Sequence, residues 1–238
     1  MGIYAQNREA DMRRIRKPLS LIANVLAAAA VLVLTAPPAL AVGPGAYGIV
    51  PTTGTYTEFA TGFLGGGQNQ VFYLSTTGTG LNRLPFPLHV YNQFYKNIAV
   101  STEYNVQLGK SSGAFAGDPS SECVPNATLG PAVMVAWSSI GTFTNGVVVR
   151  TAGTAPHRTF AIQWHGEYLV SATAPLNAQV TFREDSQNIT IQYGTVTTEN
   201  FLVVGIQSKQ QMSYTEWFCN QEGRTPATGM QLKLVHVD

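Results

Sequence analysis

Charge is scarce in this chain of 238 residues: 11% are Asp, Glu, Lys or Arg, with 14 basic against 13 acidic side chains. Long surface helices need Lys, Glu and Arg on the solvent side, so this composition argues against a helical protein and rules out a coiled coil. Outside residues 1–41 no helical i, i+3, i+4, i+7 pattern with a cap runs for even about ten residues. No second long apolar segment or C-terminal sorting tail is present either. Cysteine is limited to Cys123 and Cys219. What the chain does have is apolar and flat. Hydrophobic residues make up 45% and aromatics 10%, with 23 Gly and a mean hydropathy of +0.04, a globular and β-rich composition that excludes disorder.

The N-terminus reads as an address. Met12-Arg13-Arg14-Ile15-Arg16-Lys17 is a basic cluster, Leu21 to Leu34 is apolar apart from Asn24, and Ala39-Leu40-Ala41 supplies small residues after a Pro-broken stretch. That order is the pattern of a secretory signal peptide, with cleavage expected after Ala41. The apolar run from Val25 to Leu34 is shorter than the ~20 residues of a spanning helix. Translation starts at Met1 or at Met12; both remain open. Cleavage removes Arg8, Arg13, Arg14, Arg16, Lys17, Glu9 and Asp11, leaving 9 basic and 11 acidic residues of the original 14 and 13. No clustered Lys and Arg excess remains, so nucleic acid is excluded as a partner. An exported chain meets an oxidising environment, where Cys123 and Cys219 are expected to pair.

The segment 42–67, rich in Gly, Thr and Ala, reads as a leader or a loosely attached edge. From Gln70 onward, runs of Val, Ile, Phe, Tyr and Thr recur with turn residues between them. The better ones are Val71–Ser75, Leu88–Tyr91, Ile98–Ser101, Tyr104–Leu108, Ala132–Trp137 and Gly146–Thr151. Thr159–His165, Ala178–Glu184, Ile189–Tyr193, Leu202–Gln207 and Leu232–Val237 follow, with Met212–Phe218 as a further candidate. Alternation sets the register: Phe160, Ile162 and Trp164 point one way while Thr159, Ala161, Gln163 and His165 point the other. The expectation is an all-β fold, a single antiparallel two-sheet sandwich over 68–238, jelly-roll-like, with one disulfide.

Several framework runs carry a resemblance. Leu84-Pro85-Phe86-Pro87-Leu88-His89-Val90-Tyr91, Gln93-Phe94-Tyr95 and Ile98-Ala99-Val100-Ser101 come first. Then follow Gly153-Thr154-Ala155-Pro156-His157-Arg158-Thr159-Phe160-Ala161-Ile162-Gln163-Trp164, Val180-Thr181-Phe182-Arg183-Glu184, Ile191-Gln192-Tyr193-Gly194 and Val204-Gly205-Ile206-Gln207. Between Leu84 and Asn220 the chain resembles secreted bacterial β-sandwich domains loosely similar to nidogen-like extracellular domains, which occur in surface, adhesin-like and protease-appended proteins. Cys123-Val124-Pro125 and Cys219-Asn220 match a cysteine pair seen in some of them, and the resemblance supports the disulfide. It implies a module rather than a reaction. Where relatives carry an aromatic and two acidic residues, this chain has Trp137-Ser138-Ser139, so a cation role tied to that acidic pair is not implied here.

The search for chemistry selects little. Gly109-Lys110-Ser111-Ser112-Gly113 matches a nucleophile-elbow pattern but lacks the following helix, which leaves a polar loop. His89, His157, His165 and His236 show no metal-ligand spacing. No metal, cofactor or catalytic residue is assigned. Asp118 and Glu122 lie in a loop without the alternating ligands of a strong calcium site. A ligand contact, if strand pairing assembles one, draws on Glu103, His165, Glu167, Tyr168 and Tyr214, with Asp185 as a further neighbour. Trp164 is expected in the core and Trp217 against the disulfide. The function expected is a secreted, non-enzymatic module with a structural, adhesive or protein-interaction role. The alternative is a carbohydrate-binding or glycoside-acting protein. The implied partner is an extracellular protein or a glycan, with no membrane span after cleavage.

Overall fold

The computed structural model describes residues 41–42, 46–67, 69–113, 123–138, 141–168, 174–197, 202–209, 212–220 and 222–237, with only the backbone of 41–42, 141–145 and 168. The expected signal segment therefore lies almost wholly outside the described residues, as do Asp118 and Glu122.

The strands in chain order are β1 (Ala41–Val42), β2 (Tyr47–Thr53), β3 (Phe63–Gly65), β4 (Val71–Ser75), β5 (Leu88–Val90) and β6 (Gln93–Tyr95). Next come β7 (Asn97–Ser101), β8 (Asn105–Leu108), β9 (Ala132–Trp137), β10 (Gly141–Ala152), β11 (Thr159–Tyr168) and β12 (Pro175–Arg183). The last are β13 (Ile189–Val196), β14 (Val203–Gln207), β15 (Tyr214–Cys219), β16 (Glu222–Gly223) and β17 (Met230–His236). No α-helix occurs among the described residues, and no helix is long and apolar enough to cross a membrane.

Two large antiparallel sheets result. The first has the order β1-β15-β14-β9-β8-β7-β4, with β16 beside β15; the second runs β2-β17-β13-β12-β11-β10-β3; β5 and β6 form a separate hairpin. The all-β two-sheet sandwich expected from the strand spacing is the fold observed. Its core interleaves Val100, Val106, Val133 and Ile206 of the first sheet with Phe160, Ile162, Trp164, Val180 and Leu232 of the second.

Large amphipathic side chains cross between the sheets and donate to backbone carbonyls of the opposite layer. Trp164 donates its indole N–H to the Ser101 oxygen at 2.7 Å, and Tyr193 donates its hydroxyl to Val135 at 2.6 Å. Tyr104 does the same to Leu176. A buried aromatic thus supplies apolar area and closes a polar account at its tip. Tyr104 takes a φ of 57°, and its carbonyl accepts both the Val135 and Ala136 N–H groups. That bulge turns Trp137 to the outer face.

The segment 42–67 supplies both edge strands of the second sheet. Tyr47 and Ile49 of β2 are buried in the core, and β2 pairs with β17 from Tyr47 opposite His236 to Thr53 opposite Met230. Its Gly and Thr content hid a short alternation that edge placement makes sufficient. Pro51 stands in β2, where a missing N–H is tolerated on an edge.

Candidate functional site

Because β2 and β3 are opposite edges of one sheet, residues 54–62 must cross its whole outer face. Seven strands at ~4.8 Å spacing separate the edges by roughly 29 Å. Ten Cα steps, from Thr53 to Phe63, reach at most roughly 33–36 Å. The connection is a nearly taut strap.

Beneath it lies a row of glutamines in register across four strands: Gln163 opposite Gln179, Gln179 opposite Gln192, and Gln192 opposite Gln231. Their amides hold the strap as a neighbouring strand would. Gln163 accepts the Phe59 N–H at 2.8 Å and donates to the Thr57 oxygen at 2.8 Å, and Gln192 donates to the Thr55 oxygen at 3.0 Å. Gln163 also donates to Gln179 at 3.0 Å. Gly54 rests directly on the row, since a Cβ there would come within 2.7 Å of the Gln192 amide nitrogen.

Two depressions flank the strap. One, of about 280 Å³, is lined by Glu58, Phe59, Ala60, Thr61, Phe63, Val148 and His165. The other, of about 260 Å³, is walled by Tyr56, Glu58, Asn177, Gly194 and Thr228 among others. Glu58 belongs to both. The tautomer of His165 follows from the network: Gln163 Oε1 is fixed as an acceptor by the Phe59 N–H, so His165 Nε2, 2.9 Å away, must be the donor. Nδ1 then keeps its lone pair and faces Glu58 Oε1 at 3.9 Å, the imidazole side chain 10% exposed and the carboxylate 66%. Burial holds His165 below the usual histidine pKa, and Glu58 opposes that in part. A neutral imidazole and a carboxylate confront each other as two acceptors. The gap between them suits a donor. Arg150 stands over the Phe59 ring at 5.5 Å, and Phe63 is 55% exposed at the rim.

The residues singled out from sequence are dispersed. His165 and Glu167 share the outer side of β11, as alternation requires, and the partner of His165 is Glu58. Glu103 is 5% exposed in the turn between β7 and β8 of the first sheet. Asp185 belongs to another cluster, with His157 Nδ1 at 2.7 Å and Arg183 at 3.3 Å. Beside it, Arg158 grips Glu184 at 2.6 and 2.8 Å. Tyr214 is half-buried on the first sheet, at the margin of a second apolar cluster. The Tyr168 side chain lies outside the described residues. Sequence reasoning does not select Glu58 from among the carboxylates and misses Phe63 and the glutamine row, although the outward parity of Gln163 on its strand is readable.

That second cluster marks the other outer face. Val124, Leu129, Ala132, Met134, Trp137, Val203 and Cys219 pack there, and Cys123 is bonded to Cys219 with Cα atoms 5.6 Å apart. Trp137, not Trp217, accompanies the disulfide. The register between β14 and β15 shifts at Val204 and Gly205, and the extra residue sends Trp217 into the main core. Gln207 anchors the covering loop: its Oε1 accepts the Asn126 N–H at 2.7 Å, while its Nε2 donates to Asn126 at 2.8 Å and Gly130 at 2.5 Å. Asn126 is 1% exposed, and its side-chain oxygen accepts from Thr128 and Leu129. The Asn126 side chain is a loop brace. Glu216 accepts the Val124 N–H at 3.0 Å, and burial raises its pKa. Among the described residues, the three-member group Cys123, Glu216 and Cys219 has metal-ligand proximity, but both sulfurs are committed to the disulfide.

The fold is an antiparallel β-sandwich braced by one disulfide, with its outer faces covered by a strap and a pinned loop. The chain belongs to the NIDO-related family, whose model matches residues 46–233. The match covers the strap and both edge strands of the second sheet. No curated protein and no solved structure matches the chain.

Proposed function

We propose that the chain is a secreted, non-enzymatic β-sandwich module that acts by surface contact, in a structural, adhesive or protein-interaction role at the cell envelope or outside the cell. The observation that carries this reading is how the reactive side chains are used. Arg158 and Glu184 clamp two turns together, His157 and Asp185 close the same corner, and Glu216 secures the disulfide loop. Each contributes to the frame. Membership in the NIDO-related family and a disulfide suit an extracellular setting. Export with cleavage after Ala41 leaves Val42, paired with Tyr214, at the new N-terminus.

The test is to express the full chain with its N-terminal segment, recover it from the medium, and measure its mass and N-terminus. Its retention on isolated cell-envelope and matrix material is then assayed, alongside hydrolysis of a panel of polysaccharides and peptides. An exported chain beginning at Val42 that is retained and inert supports the module. Turnover of any substrate, or a chain kept in the cytoplasm, overturns it.

A second reading, carbohydrate binding, is favoured by one observation: an exposed ring, Phe63, beside a carboxylate and an imidazole lone pair in one depression.

A further inference from the structure

We propose that the paired depressions on either side of Glu58 bind a neutral oligosaccharide, one sugar lying on the Phe63 ring and the next beside Tyr56 and Asn177. The inference rests on the carbohydrate-binding reading and gives the extracellular module a chemical partner.

Donor and acceptor chemistry comes first. Gln163 fixes His165 Nε2 as a donor inside the sheet surface, so the atom His165 offers outward is the Nδ1 lone pair. Glu58 adds carboxylate oxygens 3.9 Å away. Two acceptors at that separation call for a ligand rich in donors: each hydroxyl has one O–H to give, so one donates to Nδ1 while a vicinal hydroxyl donates to the carboxylate. Charge chooses between hydroxyl and ammonium. The Arg150 guanidinium lies 5.5 Å from the ring centroid of Phe59, one of the lining residues, and its charge disfavours a cationic ligand. The apolar element is Phe63, whose exposed ring suits the C–H face of a pyranose.

Size and continuity follow. Depressions of about 280 and 260 Å³ share Glu58 as a common wall, which fits two consecutive sugar units better than one. The floor is fixed. Gln163 and Gln192 hold the strap backbone, and Tyr56 is seated against Gly194, where a Cβ would approach its ring to 2.8 Å. Preorganisation of this kind lowers the ordering cost of binding.

The experiment uses the full exported chain with neutral gluco-, manno-, xylo- and galacto-configured mono-, di- and tetrasaccharides, read by saturation-transfer NMR and calorimetry. Binding is expected to strengthen from mono- to disaccharide. Phe63→Ala and Glu58→Gln should each weaken it about tenfold or more, with unchanged circular dichroism and melting. Phe94→Ala, an exposed ring in the separate β5–β6 hairpin, should leave it unaltered. Absence of saturation transfer from every sugar overturns the proposal, as does equal affinity in the Phe63 and Glu58 variants. A stronger response to butylammonium or calcium ions than to any sugar also overturns it. If sugars fail while envelope retention persists, this site is lost and the contact module stands.

Discussion

The indole N–H of Trp164 in the second sheet points across the core at the Ser101 carbonyl of the first, 2.7 Å away. Replacing it with Phe keeps an aromatic ring but removes this donor to the carbonyl and opens space. Trp164→Phe should cost about 1–3 kcal/mol in urea unfolding, with the folded circular dichroism spectrum retained. Tyr193→Phe, which removes the bond to Val135 with almost no volume change, isolates the polar part. A neutral result for both would show that these cross-sheet bonds do not hold the layers together.

Gln207 is the polar side chain whose loss should be felt most on the first sheet. Its amide serves the Asn126 N–H and two carbonyls. Gln207→Leu keeps the approximate size and strands all three, at about 1–3 kcal/mol for each buried group left unpaired. Hydrogen exchange should accelerate at Asn126, Thr128 and Leu129. Unchanged protection there would mean that the disulfide and apolar packing suffice to hold the loop.

Removing the Cys123 to Cys219 bond, which spans 96 residues in sequence, should lower stability by about 4 to 5 kcal/mol in the chain-entropy picture. The Cys123→Ser, Cys219→Ser chain should also lose protection around Val124 before the second sheet does. Equal melting of the oxidised and reduced proteins would contradict this.

Gly62 turns the strap into β3 with a φ of 100°, and a Cβ there would meet the Val149 oxygen at 1.9 Å. Gly62→Ala should lift the strap end, exposing the Phe59 N–H to exchange and the strap to proteolysis. The first sheet should keep its protection. A variant with native strap protection would mean that the glutamine row alone keeps it seated.

Two groups predict opposite pH behaviour. Burial raises the folded-state pKa of Glu216, so the folded chain holds that proton more firmly than the unfolded one. Its contribution is favourable at low pH and is lost as pH rises from the unfolded value of ~4.3 through the raised folded one. Glu216→Gln keeps an acceptor for Val124 and removes the buried charge, so its melting temperature at pH 7 should equal or exceed wild type, whereas Glu216→Ala should fall. His165, facing Glu58 from the strap with Glu167 on its own strand and Arg150 on the neighbouring one, has a lowered folded pKa. Its contribution is present above ~6.5 and lost as pH falls towards the folded value. His165→Gln should flatten the stability profile below pH ~6.5.

Composition and alternation made the strands legible because burial on one face imposes a period of two. Val71–Ser75 and Ala132–Trp137 are bounded in the structure as their sequence suggests. Edge strands resisted: β2 mixes Gly, Pro and Thr because one of its sides needs no partner, and β3 is three residues long. A bulge defeated the placement of Trp217, since one extra residue reverses every side chain after it. The candidate site was less legible. Nothing local links Glu58 to His165; they meet because β2 and β3 occupy opposite edges, a property of strand order. The glutamine row has the same origin.

The pairing of β2 has a temporal side. Among the described residues its one strand neighbour is β17, so one of the earliest strands to leave a ribosome or an export channel must wait for the last one described. Until then Tyr47 and Ile49 lack the strand that seats them, although Gln163 and Gln192 under the strap are already in place on β11 and β13. Closure of the second sheet, and with it the wall that Thr228 gives the second depression, is a C-terminal event: a chain stalled short of Met230 carries its N-terminal strand unpaired.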